Sequence, residues 1–300
     1  MHEAASPLSR TPAVSARSRV LPLLLVATPV LLALWLVIWP AAEAVILTFL
    51  VPGEGGTEVW STANYARFFG DSYSVNNFTN TLWTTAVTTT ILLVIGLPLA
   101  IYLRFAKGQL PATVQSLVMF PMFVPSIIVA YAFIRTLGPN GTVDIFLHAV
   151  GLPRMRTPYL TPWGPVIGLV WDGLPLTVLL LLSGLGNVTR PAVDAARDVG
   201  AGWLAILVYI ILPRMRSSLL VTLSFNVLGI FSSFTLPYLL GPAAPEMMGP
   251  FMQRTFGDLQ DVGMARTQAV ITFAVCLLFG ALYVWSIAKG RTKSAAGGKS

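Results

Sequence analysis

Apolar residues along this chain gather into six long runs, at about residues 20–47, 78–105, 112–137, 163–185, 215–240 and 264–288, each closed by charged residues, glycine or proline. A helix crosses a hydrocarbon core roughly 30 Å thick with about 20 mostly apolar residues. Every run is wide enough, so the pattern predicts an all-α, polytopic integral membrane protein with six transmembrane helices. The polar remainder divides the chain into a Ser/Pro/Ala-rich leader, 1–19, expected to be disordered, one membrane domain, 20–288, and a polar tail, 289–300.

Composition agrees with this pattern. Hydrophobic residues make up 55% of the chain and charged residues 10%, with a mean hydropathy of +0.74, against about 25% charged in ordinary soluble domains. Water is therefore not the main solvent. A cleaved signal peptide competes for the first run, since Ala41-Ala42-Glu43-Ala44 resembles a cleavage site. The apolar stretch before it is about twice the usual seven to fifteen residues, which argues for a retained helix. Cys276 is the single cysteine, which leaves neither an internal disulfide nor a cysteine-rich metal site.

The net charge of +7 bears on topology. With the amino terminus inside, Arg10, Arg17, Arg19, Arg104, Lys107, Arg190, Arg197, Arg214, Arg216, Lys289, Arg291, Lys293 and Lys299 fall on the inner side. Arg67, Arg135, Arg154, Arg156, Arg254 and Arg266 fall outside. Thirteen against six predicts that both termini are cytoplasmic, because Lys and Arg are retained on that face. Acidic residues such as Glu54, Glu58, Asp71, Asp144, Glu246, Asp258 and Asp261 lie outside and contribute little to orientation. The basic residues are scattered over many loop ends with no basic stripe, so no nucleic-acid partner is expected.

The connection at 187–214, between the fourth and fifth runs, is too long for a simple link and too apolar for disorder. Pro191 suits a first helical turn, and Asp194 close behind it suits the positive end of a helix dipole. Gly200 supplies a break. After it Trp203, Ile206, Leu207, Ile210 and Ile211 recur with helical spacing, and Pro213 is expected to stop or kink that helix. The pattern predicts helix, sharp turn and amphipathic helix on the cytoplasmic face. From the pattern alone this is either a docking element or a helix pair lying on the bilayer.

Asp194-Ala195-Ala196, Gly200, Ile210, Leu212 and Pro213 resemble the EAA loop of binding-protein-dependent ABC importer permeases: Glu-Ala-Ala, three residues, Gly, nine residues, Ile, one residue, Leu-Pro. Asp194 stands where that pattern has Glu. Asn64-Tyr65 and Asn80-Thr81-Leu82 are similar to the family's outer loop and helix entry. The resemblance implies a multi-pass subunit of the bacterial cytoplasmic (inner) membrane, whose loop couples to two separate ABC ATPase subunits. It also implies a second permease, homologue or copy, and an extracytoplasmic substrate-binding protein. ATP and Mg would be held by the ATPases. This chain lacks a Gly-x-x-x-x-Gly-Lys-Ser/Thr phosphate loop, and no cofactor, metal or catalytic residue of its own is expected.

Polar residues within apolar runs are the remaining candidates, since an ionised side chain at mid-bilayer costs about 2.5–3.5 kcal/mol. Asp172, in Trp171-Asp172-Gly173-Leu174-Pro175, reads either as a carboxylate on the translocation path or as a buried partner for another helix. On the first reading it attracts a cationic substrate with help from Trp171 or Tyr131. Asn226 and Phe234 are further candidates for the path, with interhelical bonding and packing as their alternatives, and the threonines of 84–90 are read as packing. Asp194-Ala195-Ala196-Arg197-Asp198-Val199-Gly200-Ala201 resembles the spermidine/putrescine branch more than the sugar branch, while iron, phosphonate, sulfate and sugar remain alternatives. An ion-coupled secondary transporter would more typically show repeat symmetry and would need no such loop. An intramembrane enzyme would need a convergent nucleophile and base or metal ligands, which the spans do not display.

Overall fold

The computed structural model describes residues 16–53 and 57–296. The leader up to residue 15, with His2 and Arg10, lies outside them, as do Glu54, Lys299 and the side chains of Arg17, Arg19, Lys289, Arg291 and Lys293. Among the described residues, five helical segments are long and apolar enough to cross a membrane, and six if one sharply bent pair counts as a span. The chain forms two compact units, 1–61 and 62–300.

The first unit carries the first span, Leu25–Thr48. It is built from α1 (Ala16–Ala33), a π-helical turn (Leu34–Ile38) and α2 (Trp39–Thr48). A short antiparallel hairpin follows, β1 (Leu50–Pro52) against β2 (Glu58–Trp60), with Val51 opposite Val59. The hairpin is the one departure from an all-α fold among the described residues. Its signal was a glycine-rich turn, Gly53 to Gly56, between β-branched residues.

The second unit begins with α3 (Ala63–Gly70) and α4 (Ser72–Phe105). The apolar run suggested a start near residue 78. The helix starts six residues earlier because Asp71 caps it, accepting from Tyr73 N, Ser74 N and Ser74 Oγ at 3.3, 3.0 and 2.7 Å. Those bonds, that from the Ser74 hydroxyl foremost, hold the Asp71 carboxyl below the usual carboxylate range.

The third run does not form the expected continuous helix. It consists of α5 (Leu110–Met119), a 3₁₀ turn (Phe120–Phe123) and α6 (Ser126–Leu137), and α7 (Thr142–Ala149) follows it. Leu110–Phe123 and Ser126–Ala149 meet at 104°. Pro121 and Pro125 each lack a donor, and Pro125 forces Val124 into an extended conformation, φ −104° and ψ 119°. The fourth run is α8 (Trp163–Leu185), as expected, followed by α9 (Arg190–Asp198).

The fifth run also differs. α10 (Trp203–Ile206), a π-helical turn (Leu207–Ile211) and α11 (Leu212–Phe231) form one span, and α12 (Thr235–Leu240) is separate. Pro213 therefore neither stops the helix nor separates loop from span. Ahead of it Leu212 N bonds Leu207 O, a wider turn than the α-helical one, so the ladder continues past a residue with no donor. Pro40 follows the other π-helical turn at the same offset, where Trp39 N bonds Leu34 O. Finally α13 (Met248–Gly257) leads into α14 (Val262–Ala296).

Small residues let α4, α8 and α11 approach closely. A Cβ placed on Gly184 would lie 2.4 Å from Ser218 Cβ, and one on Gly96 would lie 3.0 Å from Thr177 Cγ2. At the end of the unit that includes α3, the connection before α13 is tied to α4. Asn77 Oδ1 accepts from Glu246 N at 2.9 Å, Thr81 Oγ1 accepts from Met248 N at 2.8 Å, and Asn80 Nδ2 donates to Pro245 O at 3.0 Å. Tyr73 Oη donates to Glu246 Oε1 at 2.9 Å, and Arg254 Nη2 pairs with the same oxygen at 2.5 Å while also contacting Tyr73 Oη. Desolvation nevertheless outweighs these partners and raises the Glu246 pKa, so the fold gains stability as pH falls through that raised value and the carboxylate takes up a proton.

Two stability predictions arise from these contacts. Gly184→Val should overpack the α8–α11 crossing and cost about 1–3 kcal/mol, read as a lower unfolding midpoint in detergent. Gly280→Val, where an added Cβ meets nothing within 4 Å, should not. Glu246→Gln should leave the midpoint nearly unchanged and abolish its rise on mild acidification. Arg254→Met should instead cost roughly 1–3 kcal/mol by stranding a buried carboxylate.

Candidate coupling loop and translocation face

Two bonds link α9 and the ends of the α4 and α8 spans in series. Arg104 Nε, in the last turn of α4, donates to Leu185 O at the end of α8 at 3.4 Å, placing a cation at that helix's negative end. Arg190 Nη2, at the start of α9, donates to Arg104 O at 3.3 Å. On its inner side Val193 is buried in a cluster with Leu185, Ile206, Ile211 and Met215, and Ala196 packs against that cluster.

The turn after α9 has a defined chemistry. Ala201 N bonds Ala196 O and Gly200 N bonds Arg197 O, both at 2.9 Å, which is the paired closure of a Schellman motif. Gly200 sits at φ +82°, where a side chain is strained, and its Cβ direction is open. Beyond the turn Trp203 stacks on the Arg197 guanidinium, 5.4 Å from its centre.

The structure brings Asp194, Ala195 and Gly200 to the exposed side of this corner and turns Ala196 inward. Ile210 packs against the inner cluster, Leu212 is half-buried and Pro213 exposed, all within the continuous span. Sequence reasoning did not pick out the apolar side chains that accompany Gly200 on the surface. Val199 is 84% exposed, Leu204 72% and Tyr209 79%. Their signal was available, because they interrupt the inward helical spacing of Ile206, Ile210 and Ile211.

The other candidates lie around the broken third run. α6, α8 and α12 pack together through Val129, Ala130, Leu169 and Leu236. Asp172, on α8, is exposed, and Ser126 Oγ donates to its Oδ1 at 3.4 Å. Ser126 is the first residue of α6, so the carboxylate stands at the positive end of a half-helix. Trp171 is half-buried and packs edge-on to Phe133. Tyr131 is 59% exposed, and Phe234 is exposed and stacks on Tyr238 at 5.2 Å. These aromatics and the carboxylate are left uncovered by α6, α8 and α12.

Asn226 is placed elsewhere. It is buried between α11 and α8, with its amide 2.9 Å from Thr177 Oγ1, which also lies 2.8 Å from Gly173 O. One hydroxyl proton cannot serve both oxygens, so the amide meets Thr177 best through its Nδ2 end, the donor otherwise left without a partner. Thr84, Thr85, Thr88 and Thr89 form a buried stripe along α4.

Known proteins share this architecture. A bacterial alginate ABC transporter, solved in complex with an alginate pentasaccharide-bound periplasmic protein, contains a chain that superposes with TM-score 0.74 at 17% identity, covering 90% of this chain and 93% of that one. The MetNI methionine ABC transporter aligns with TM-score 0.53 at 18% identity, over 71% of this chain and 94% of that one. Among sequence relatives, the sulfoquinovosyl glycerol transport system permease protein SmoG of Agrobacterium fabrum is 24% identical, over 89% of this chain and 90% of its own length. The spermidine/putrescine transport system permease protein PotB of Escherichia coli is 28% identical, over 73% and 80%. The family described as binding-protein-dependent transport system inner membrane component matches residues 93–289, from within α4 to α14 and through the whole α9–α10 corner. This chain belongs to that family and is a multi-pass permease subunit of the ABC importer type.

Proposed function

We propose that the α9–α10 corner docks on a separate ATPase subunit at the cytoplasmic face, and that the Asp172 face lines the path of a small organic cation such as a polyamine. The observation that carries the first part is the Schellman-closed corner at Gly200. It has the family's loop spacing, is bonded to the ends of α4 and α8 through Arg190 and Arg104, and presents Val199 and Leu204 outward. A short helix held at both ends transmits displacement with little bending, and uncovered apolar side chains on its tip suit a protein partner.

On this reading both termini and the 187–214 loop are cytoplasmic, the membrane domain is 20–288, and two ATPases supply ATP and Mg. A second permease, copy or homologue, completes the path, and a binding protein delivers substrate from outside. The periplasmic protein bound to the alginate transporter is consistent with such a partner.

For the cargo, an exposed carboxylate next to Trp171, with Tyr131 and Phe234 exposed at helices that pack with α8, favours an organic cation through charge and cation–π attraction, and the PotB relative points the same way. The SmoG relative supports a second reading, a sugar derivative, for which the aromatic face alone would serve.

Two outcomes are expected with the chain assembled with its ATPase, second permease and binding protein in liposomes. Gly200→Arg, which forces a side chain into the left-handed region at about 1–2 kcal/mol, should abolish hydrolysis stimulated by the loaded binding protein while assembly persists. Gly200→Asn, a residue that tolerates that conformation, should keep most of it. Stimulation unaffected by Gly200→Arg would overturn the coupling reading. Asp172→Asn should lower spermidine uptake at least about tenfold, as expected for loss of a low-dielectric ionic contact, with coupling intact. Unchanged uptake, or uptake of neutral glycosides alone, would replace the cation with the sugar derivative.

A further inference from the structure

A cavity of about 580 Å³ lies between the last turns of α4 and the corner formed by α9 and α10. Its two halves differ in chemistry. Leu97, Ile101 and Phe105, in the final turns of the second span, make an apolar floor. Lys107, Arg190 and Arg197 line it where α4 leaves the span and α9 begins, with Asp194 the one carboxylate among them. Among the described residues none of the three cations is in an ion pair. Arg190 spends one donor on Arg104 O, and Arg197 lies over the Trp203 ring.

We propose that this cavity binds an anionic phospholipid, its phosphate held by Lys107, Arg190 and Arg197 and its acyl chain lying along Leu97, Ile101 and Phe105. Three cations against one carboxylate leave two positive charges to be neutralised, as a basic pocket at the cytoplasmic edge of a helical membrane protein does with lipid head groups. The floor decides between a lipid and a soluble protein. It belongs to a helix apolar enough to cross a membrane, and an acyl chain complements such a surface as the polar exterior of a soluble protein does not. Trp203 at the mouth suits the interfacial layer. The bound phosphate would join the end of α4 to α9 and so brace the corner. The proposal rests on the cytoplasmic placement of that corner given above.

Reconstitute the full chain with its partners in vesicles of phosphatidylcholine carrying graded brominated phosphatidylglycerol, or brominated phosphatidylcholine as the neutral control. Quenching of Trp203 is read as the difference between wild type and Trp203→Phe. Brominated phosphatidylglycerol should quench more than the neutral lipid. Its half-saturation should weaken about fivefold per cation removed in Lys107→Gln with Arg197→Gln, and should tighten in Asp194→Asn. Lipid retained on the purified complex, read by native mass spectrometry, should follow the same order and requires no tryptophan substitution. Equal quenching by both lipids, or affinity unchanged in the double variant, overturns the proposal. So does efficient crosslinking of Lys107→Cys to the ATPase with no lipid retained, which would give the cavity to that subunit. These readouts do not require coupled hydrolysis, so they fail independently of the Gly200 test.

Discussion

Every helix that crosses hydrocarbon has to satisfy its backbone N–H and C=O groups within itself or against its neighbours, because nothing around it will. Proline breaks that rule at each place it enters a span. At Pro98 and Pro175 the α-helix runs on through the ring, and elsewhere the chain uses two devices. At Pro40 and Pro213 a π-helical turn precedes the ring and keeps the ladder unbroken. At Pro121 and Pro125 the helix breaks and restarts in a new direction. The two proposed functional regions lie beside these solutions. Asp172 is bonded to the first residue after the break, and the π turn at Leu207–Ile211 joins the α9–α10 corner to α11.

Rigidity and openness are divided accordingly. At the corner, side-chain bonds from Arg104 and Arg190 link the ends of α4, α8 and α9, and the cluster around Val193, Ile206 and Ile211 packs beneath. At the opposite end, Asn77, Asn80 and Thr81 fasten the connection before α13 to α4. Between these fastened ends, Asp172, Tyr131 and Phe234 are left exposed by their own chain. A subunit that holds its two ends firmly and leaves its middle open is suited to share a path with another.

Much of this was legible in the sequence. The first, second, fourth and last spans followed from apolar runs, and the turn at Gly200 from a glycine between two helical patterns, but the fifth span, 203–231, lies ahead of the run at 215–240. What escaped depended on distant partners or local accommodation. The 104° bend was written in Pro121 and Pro125, but a proline signals a broken donor and does not say whether a π turn or a break will answer it; Pro213 shows the other answer. The Tyr73–Glu246–Arg254 cluster joins residues over 170 positions apart, which no local pattern encodes. Asn226 was legible as a polar residue in a span, but its partner Thr177 was not, being one of many threonines in the spans.

The π turn at Leu207–Ile211 also sets a phase. A five-residue turn holds about one residue more than an α-helical one, and each residue advances the helix by about 100°. The compass bearing of the corner around the α11 axis is therefore fixed in whole-residue steps. A single residue gained or lost before Pro213 would swing α9 to a different side of the subunit while leaving the span's length nearly unchanged. The spacing from the corner to the proline therefore behaves as a count, in which one residue more or fewer changes direction rather than length.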